Sequence, residues 1–319
     1  RSSSASFFIQ INQYVKNNYE AGDILHKLLK NKRTIFLLVA PGLAVFIFAV
    51  FIPIIVSIYY GMTDWGGIGK PNFIGMKNFT EIIFHDEAFW YSLRNALLLG
   101  AAFVFIQHPI SFIFAIMIDK IGGKLEKVFR AIFFIPCVIS IIVTSKMWVS
   151  IYDPQYGLLN KVLDILQLGA LKQDWLGNPK FVLPSLIVIL MWQGFGWALL
   201  IYYSGLKGIP EEIYEAARID GAGTFKIITS ITIPLMKPVI RVNIILAVIS
   251  ALKQMETVFL TTGGGPGSTS QFLANYLFVK AFNSAQYGYG NAISVLFVIV
   301  CLVMTFVLNK MFKSINAEY

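Results

Sequence analysis

Two groups of residues could do chemistry in this chain, and both suit binding better than catalysis. The first is Glu215-Ala216-Ala217-Arg218-Ile219-Asp220-Gly221, followed after nine residues by Ile231-Thr232-Ile233-Pro234. It forms a polar island between two long apolar runs, where a soluble partner could read it at a membrane surface. The second lies inside apolar runs: Trp192, Gln193 and Trp197 in one, Lys253, Gln254 and Glu256 in the next. Amides donate and accept hydrogen bonds, and indoles offer flat apolar faces. Buried amides without partners are costly, so these residues should face a wet cavity or serve as glue between helices. Lys253 and Glu256 stand three apart and can pair on one helix. A lone charge at mid-bilayer costs about 2.5–3.5 kcal/mol on insertion scales. The two therefore read as a charged cavity wall or as a self-neutralising pair against another subunit.

Catalytic constellations are missing. His26, His85 and His108 are too dispersed for a metal site, and Cys137 and Cys301 both sit within apolar runs. No Gly-x4-Gly-Lys-Ser/Thr occurs, so nucleotide hydrolysis is not expected here, and the chain is read as no enzyme and as holding no cofactor. The stretch Gly263–Gly267 lacks a following lysine and reads as a plain flexible loop.

The elements that must position these groups are membrane spans. Of 319 residues, 56% are hydrophobic and only 13% are charged, against about a quarter charged in soluble domains. A bilayer core about 30 Å thick needs about 20 helical residues. Six runs qualify: Ile35–Tyr60, Ala96–Ile118, Ala131–Tyr152, Phe181–Leu206, Val239–Leu260 and Ala292–Leu308. The fold class is an all-α integral membrane protein with six transmembrane helices and both termini on one side. Of the 26 basic residues, 17 fall on that side, counting Arg241 at the near edge of its span, and 7 on the other, with Lys146 and Lys253 deeper inside spans. The positive-inside rule makes the richer side cytoplasmic. The same segregation explains the net charge of +9 without nucleic acid. A segment over residues 1–34 carries Ile24, Leu25, Leu28 and Leu29 among Lys27, Lys30, Lys32 and Arg33, which suits a basic amphipathic helix on the inner leaflet. The first apolar run is too long for a signal core, so no cleavable signal is expected. Residues 35–319 then form the six-span domain.

The polar island, within about 207–238, should fold as two short helices. Pro210 suits a helix start, and Glu211 and Glu212 favour the positive end of the dipole. Ile213, Ala216 and Ala217 share a face, where small side chains permit close approach. Gly221 and Gly223 give the turn its freedom. Thr224 can cap a second helix carrying Phe225, Ile227, Ile228 and Ile231, which Pro234 stops before Pro238 opens the next span.

This island resembles the EAA loop of ABC-importer permeases, Glu-Ala-Ala, three residues, Gly, nine residues, Ile-x-Leu-Pro, with Ile233 in place of Leu. Further on, Leu252-Lys253-Gln254-Met255-Glu256 leads through Val258-Phe259-Leu260 to Thr261-Thr262-Gly263-Gly264-Gly265-Pro266, and this is similar to sugar-importer permeases of the maltose and glycerol-phosphate type. Met255-Glu256 stands where many relatives have Phe-Asp. The resemblance implies the type I importer permease fold in the bacterial inner membrane. It implies a sugar substrate, an external solute-binding protein, a second homologous permease, and two ATPase subunits that hold the ATP and magnesium. Glu215 would engage a nucleotide-dependent cleft of the ATPase, with Ala216, Ala217, Asp220, Gly221 and Gly223 as docking surface and turn. The sugar positions would fall near Gln193, Gly194 and Trp197, and near Ala247, Ser250, Ala251 and Gln254, with Lys253 and Glu256 beside them. Ala247 and Ala251 depart from the polar residues of the maltose permease, so the sugar need not be maltose. The rival reading, an ion-coupled secondary carrier, requires acidic residues near mid-bilayer and internal repeats. Only Glu256 meets it.

Overall fold

The computed structural model describes residues 32–316, and the amphipathic segment expected around Ile24–Leu29 lies outside them. Every regular element described is helical, apart from an isolated bridge between Thr63 and Phe73. Two compact units meet in sequence between Tyr59 and Tyr60. Helix α1 (Lys32–Gly61) accounts for the described part of the first. The second contains α2 (Lys77–Phe84), α3 (Glu87–Ile121), α4 (Gly123–Val138), α5 (Ile141–Ile151), α6 (Leu158–Ile165) and α7 (Val182–Lys207). It continues with α8 (Glu211–Ile219), α9 (Thr224–Leu252), α10 (Glu256–Thr261), α11 (Leu273–Phe278) and α12 (Tyr287–Asn316).

Five of these helices, α1, α3, α7, α9 and α12, are long and apolar enough to cross a bilayer on their own. The sixth expected span, Ala131–Tyr152, is not one rod. It divides into α4 and α5, which meet at 93°. Pro136 inside α4 cannot donate to the helix ladder, and Ile139 and Ser140 then take extended backbone with ψ of 133° and 136°. Irregular backbone at membrane depth survives only where protein or a cavity covers it. Ile139 and Ile141 do line a cavity.

Three prolines are absorbed without a break. Pro53, Pro109 and Pro234 each follow a π turn by two residues, at Ile47–Phe51, Phe103–Gln107 and Ile228–Thr232. The N–H preceding each proline bonds five residues back, Ile52 to Ile47, His108 to Phe103 and Ile233 to Ile228. The wider turn accommodates the missing donor and the ring. Pro234 therefore does not stop the second short helix, and Pro238 lies inside a helix rather than opening one. Thr224 to Leu252 is one continuous element.

That element ends before the expected Leu260. Residues 253–255 are non-helical, and α10 starts afresh at Glu256. Lys253 and Glu256 thus do not share a helix, and no ion pair joins them among the described residues.

The second unit packs around α7. Leu186 and Ile189 of α7 meet Leu99 of α3 and Val248 and Leu252 of α9 in the central core. Tyr202 and Leu206 meet Ile118 and Met236 towards the α8 end. At the opposite end Asp86 caps α3 through the Phe89 N–H at 3.1 Å and accepts from the Tyr276 and Tyr289 hydroxyls, both at 2.5 Å. Burial, then the Asp86 carboxylate, push the Tyr276 phenol well above its usual range. The glycine-rich loop expected to be flexible is held in place. Asn95 Nδ2 donates to the Thr269 and Gln271 carbonyls at 2.9 Å each, and Ser270 Oγ donates to Gly265 O at 2.5 Å. Gly264 takes φ +97°, and a Cβ there would sit 1.5 Å from Gln271 Oε1.

Candidate ligand cavity and docking helix

A cavity of about 430 Å3 opens between α3, the α4–α5 break, α7 and α9. It gathers Gln193, Gly194 and Trp197 from α7, Ala247 and Ser250 from α9, and Gln254 from the break after it. Three expected neighbours stand elsewhere. Ala251 is fully buried in the central core, and neither Lys253 nor Glu256 lines the cavity, because the helix stops before both. Trp192 borders a separate apolar cavity of about 460 Å3 with Phe133, Pro136 and Phe195.

Sequence reasoning passed over Gln107, His108, Cys137, Asn243 and Thr257, which also line the first cavity. The Gln107-His108-Pro109 run inside an uncharged span was the available signal, since a polar pair there needs partners. Four of these residues tie neighbouring helices to α7. Gln107 Nε2 donates to Met191 O at 2.8 Å, and Asn243 Nδ2 donates to Ala198 O at 3.1 Å. The Cys137 thiol donates to Gln193 O at 2.9 Å, and His108 Nδ1 lies 2.7 Å from the Tyr202 hydroxyl. Close approach depends on glycine at one point above all: a Cβ on Gly196 would lie 2.4 Å from Phe133 O. Gln193, Ser250, Gln254 and Thr257, by contrast, keep their side-chain polar groups uncommitted within the described protein. Trp197 is 59% exposed, with Phe134 edge-on at 5.8 Å.

At one end of α7 a polar clasp fixes the approach to α8. Lys207 Nζ pairs with Asp119 Oδ1 at 2.8 Å, and the Tyr203 hydroxyl donates to the Glu126 carboxylate. Arg130 pairs with the same carboxylate at 3.5 Å and stacks 4.6 Å from the Tyr203 ring centre. Beyond it, Pro210 is the N-cap of α8, and Glu211 and Glu212 fill its first turn. Glu215, Ala216 and Asp220 are exposed, and Glu215 has no partner among the described residues. Ala217 differs from expectation. At 8% exposure it is packed against its own chain, which removes it from any docking surface. Gly221 takes φ +77° and so makes the turn. Gly223 has ordinary extended backbone and serves as the N-cap of α9, a place expected for Thr224. Ile219 and Phe225, 85% and 79% exposed, flank the turn as large apolar side chains facing solvent.

An exposed carboxylate helix beside a glycine turn is thus joined by one rod to a polar cavity between spans. Residues 107–317 match the family described as the inner membrane component of binding-protein-dependent transport systems. The chain belongs to that family. It is similar to a probable ABC transporter permease of Bacillus subtilis, 34% identical over 91% of this chain and 99% of that protein. It is also similar to the permease of a diacetylchitobiose uptake system of Streptomyces coelicolor, 34% identical over 89% of this chain and 85% of the other. Its fold matches a chain of a bacterial ABC transporter involved in alginate import, with a TM-score of 0.77 at 24% identity, covering 91% of this chain and 99% of that one. The protein is thus a multi-pass inner-membrane transport component with the importer permease fold, not an enzyme.

Proposed function

We propose that the chain is one of two homologous permeases in an ATP-driven importer of sugars or oligosaccharides. An external binding protein delivers the substrate, the cavity passes it, and α8 receives the stroke of an ATPase that holds the ATP and magnesium. The observation that carries this reading is continuity: α9 starts at the turn after α8 and carries Asn243, Ala247 and Ser250 of the cavity near its far end, with Gln254 just beyond it. Movement of the turn therefore moves the cavity wall. Glu215 engages the ATPase, Ala216 and Asp220 add surface, and Ile219 and Phe225 anchor it, since an aromatic or aliphatic side chain seated in a partner's pocket makes a central anchor of an interface. Gln193, Gly194, Trp197, Ser250 and Gln254 contact the sugar. Both termini lie in the cytoplasm, where ATP is available, as the segregation of basic residues requires. Affinity purification from native membranes tests the reading. An ATPase subunit should co-purify, and reconstituted complexes should take up saccharide only with ATP. Saccharide uptake driven by an ion gradient, without a bound ATPase, refutes it.

A further inference from the structure

A further cavity, of about 300 Å3, lies where the ends of α3 and α7 meet α8 and the start of α9. Its size falls at the lower end of the range of about 300–1,000 Å3 for ligand pockets. The lining is of two kinds. Asp119 and Lys120 of α3, Glu211, Tyr214 and Arg218 of α8, and Thr224 of α9 are polar. Ile116, Leu206, Ile227 and Ile228 are apolar, and each isoleucine stands about one helical turn from Lys120 or Thr224.

Bases outnumber acids here. Lys207 Nζ holds Asp119 at 2.8 Å, and Arg218 Nη1 holds Glu211 at 3.3 Å. Lys120 has no acidic partner among the described residues. Three cations thus meet two carboxylates, which leaves one positive charge in excess. The Tyr214 and Thr224 hydroxyls are uncommitted among the same residues. Arg218 keeps N–H donors beyond the one spent on Glu211. Gly223 gives α9 no side-chain cap, so the first N–H groups of that helix add donors beside Thr224. A cation would find both carboxylates already paired, and a neutral solute would leave Lys120 unmatched. A phosphate ester answers the whole set, with several acceptor oxygens, negative charge, and an organic part to lie on the isoleucines.

The position on α8 matters as well. Glu211, Tyr214 and Arg218 recur at three- and four-residue spacing and share a face, whereas Ala216 and Ile219 fall on another. An occupant therefore bridges α8 and α9 to the ends of α3 and α7 and leaves Ala216 and Ile219 uncovered.

We propose that this cavity binds an anionic phosphate ester through Lys120, Tyr214, Arg218 and Thr224, and that the bound ester ties α8 to the span ends. Such a group has two sources. One is the headgroup of an anionic phospholipid, since Ile116 and Leu206 belong to the ends of spans. The other is a soluble ester such as a glycerol or sugar phosphate.

The test uses the full chain, purified with the subunits that accompany it. Native mass spectrometry counts bound phosphatidylglycerol against phosphatidylcholine, and equilibrium dialysis measures labelled glycerol 3-phosphate. One site should take phosphatidylglycerol at least tenfold more tightly than phosphatidylcholine, or should bind glycerol 3-phosphate. The first result assigns the lipid source and the second the soluble one. Lys120→Gln combined with Tyr214→Phe should weaken that binding tenfold or more, while Lys310→Gln, a basic residue outside the cavity, should not. If the double variant folds poorly, Lys120→Glu alone carries the same expectation. Equal affinity for the two lipids together with no binding of glycerol 3-phosphate overturns the proposal. So does anion binding that survives the cavity substitutions or falls equally in Lys310→Gln. Binding is read on the chain itself, so the result is independent of which solute the transporter carries.

Discussion

Replacing Gly196 by alanine should force α4 and α7 apart. The added Cβ would sit 2.4 Å from Phe133 O and 2.9 Å from both Phe134 Cα and Cys137 Sγ. Ordinary contacts begin near 3.4 Å, so the facing helices must separate by about 1 Å. Two of the three obstacles are backbone atoms, which no rotamer change can move. Overpacking of this kind costs about 1–3 kcal/mol. The same shift would stretch the Cys137–Gln193 hydrogen bond of 2.9 Å at the cavity wall. Gly194 provides the control two residues away. Its Cβ would meet only the end of the Gln107 side chain, with Nε2 at 3.0 Å, and that side-chain end need give way by only a few tenths of an ångström, at most loosening its bond to Met191 O. Thermal unfolding of the purified chain in detergent reads the difference. Gly196→Ala should lower the midpoint by several degrees and Gly194→Ala by clearly less. An unchanged midpoint for Gly196→Ala, or a larger loss for Gly194→Ala, refutes the packing argument.

Glu215→Lys should uncouple ATP hydrolysis from uptake while membrane insertion is unaffected, and normal ATP-dependent uptake by that variant would remove Glu215 from the coupling surface. Ile219→Ser and Phe225→Ser should each weaken ATPase retention by about 2 kcal/mol or more, read as loss of the co-purifying subunit on washing. Asp86→Ala discards a helix cap and strands two phenol hydroxyls, so it should cost at least about 2 kcal/mol, and Asp86→Asn should recover part of the midpoint. Lys207→Met breaks a half-exposed ion pair and should shift stability by less than about 1 kcal/mol; a larger loss would mean that the clasp at the end of α7 carries more than an ordinary surface pair.

The exposed helix α8 was legible because polarity and spacing declare it: a charged stretch with a proline start and a glycine end, caught between apolar runs, predicts a short helix outside the spans. Gln193, Trp197 and Gln254 were legible as amides and an indole inside apolar runs, Gly194 and Ser250 only through resemblance, and the fold brings all five to one cavity. What stayed hidden is backbone geometry. Hydropathy averages over about 20 residues, so it passes smoothly across the 93° break at Ile139–Ser140 and across the stop at Leu252. Pro136 signalled the first break, whereas Pro53, Pro109 and Pro234 carry the same signal and break nothing, because a π turn precedes each. Ala217 was misplaced for a related reason: sharing a helical face with Ala216 does not tell which edge of that face the chain itself covers.

The unbroken run from Thr224 to Leu252 has a mechanical consequence. At about 1.5 Å per residue its 29 residues make a strut about 43 Å long. Pivoted near the docking turn, such a strut sweeps its far tip through about 0.75 Å for every degree of tilt, enough over a few degrees to make or sever a hydrogen bond at Gln254. A hinge at Pro234 would have dissipated that stroke in bending; the π turn that spares the helix also preserves its leverage.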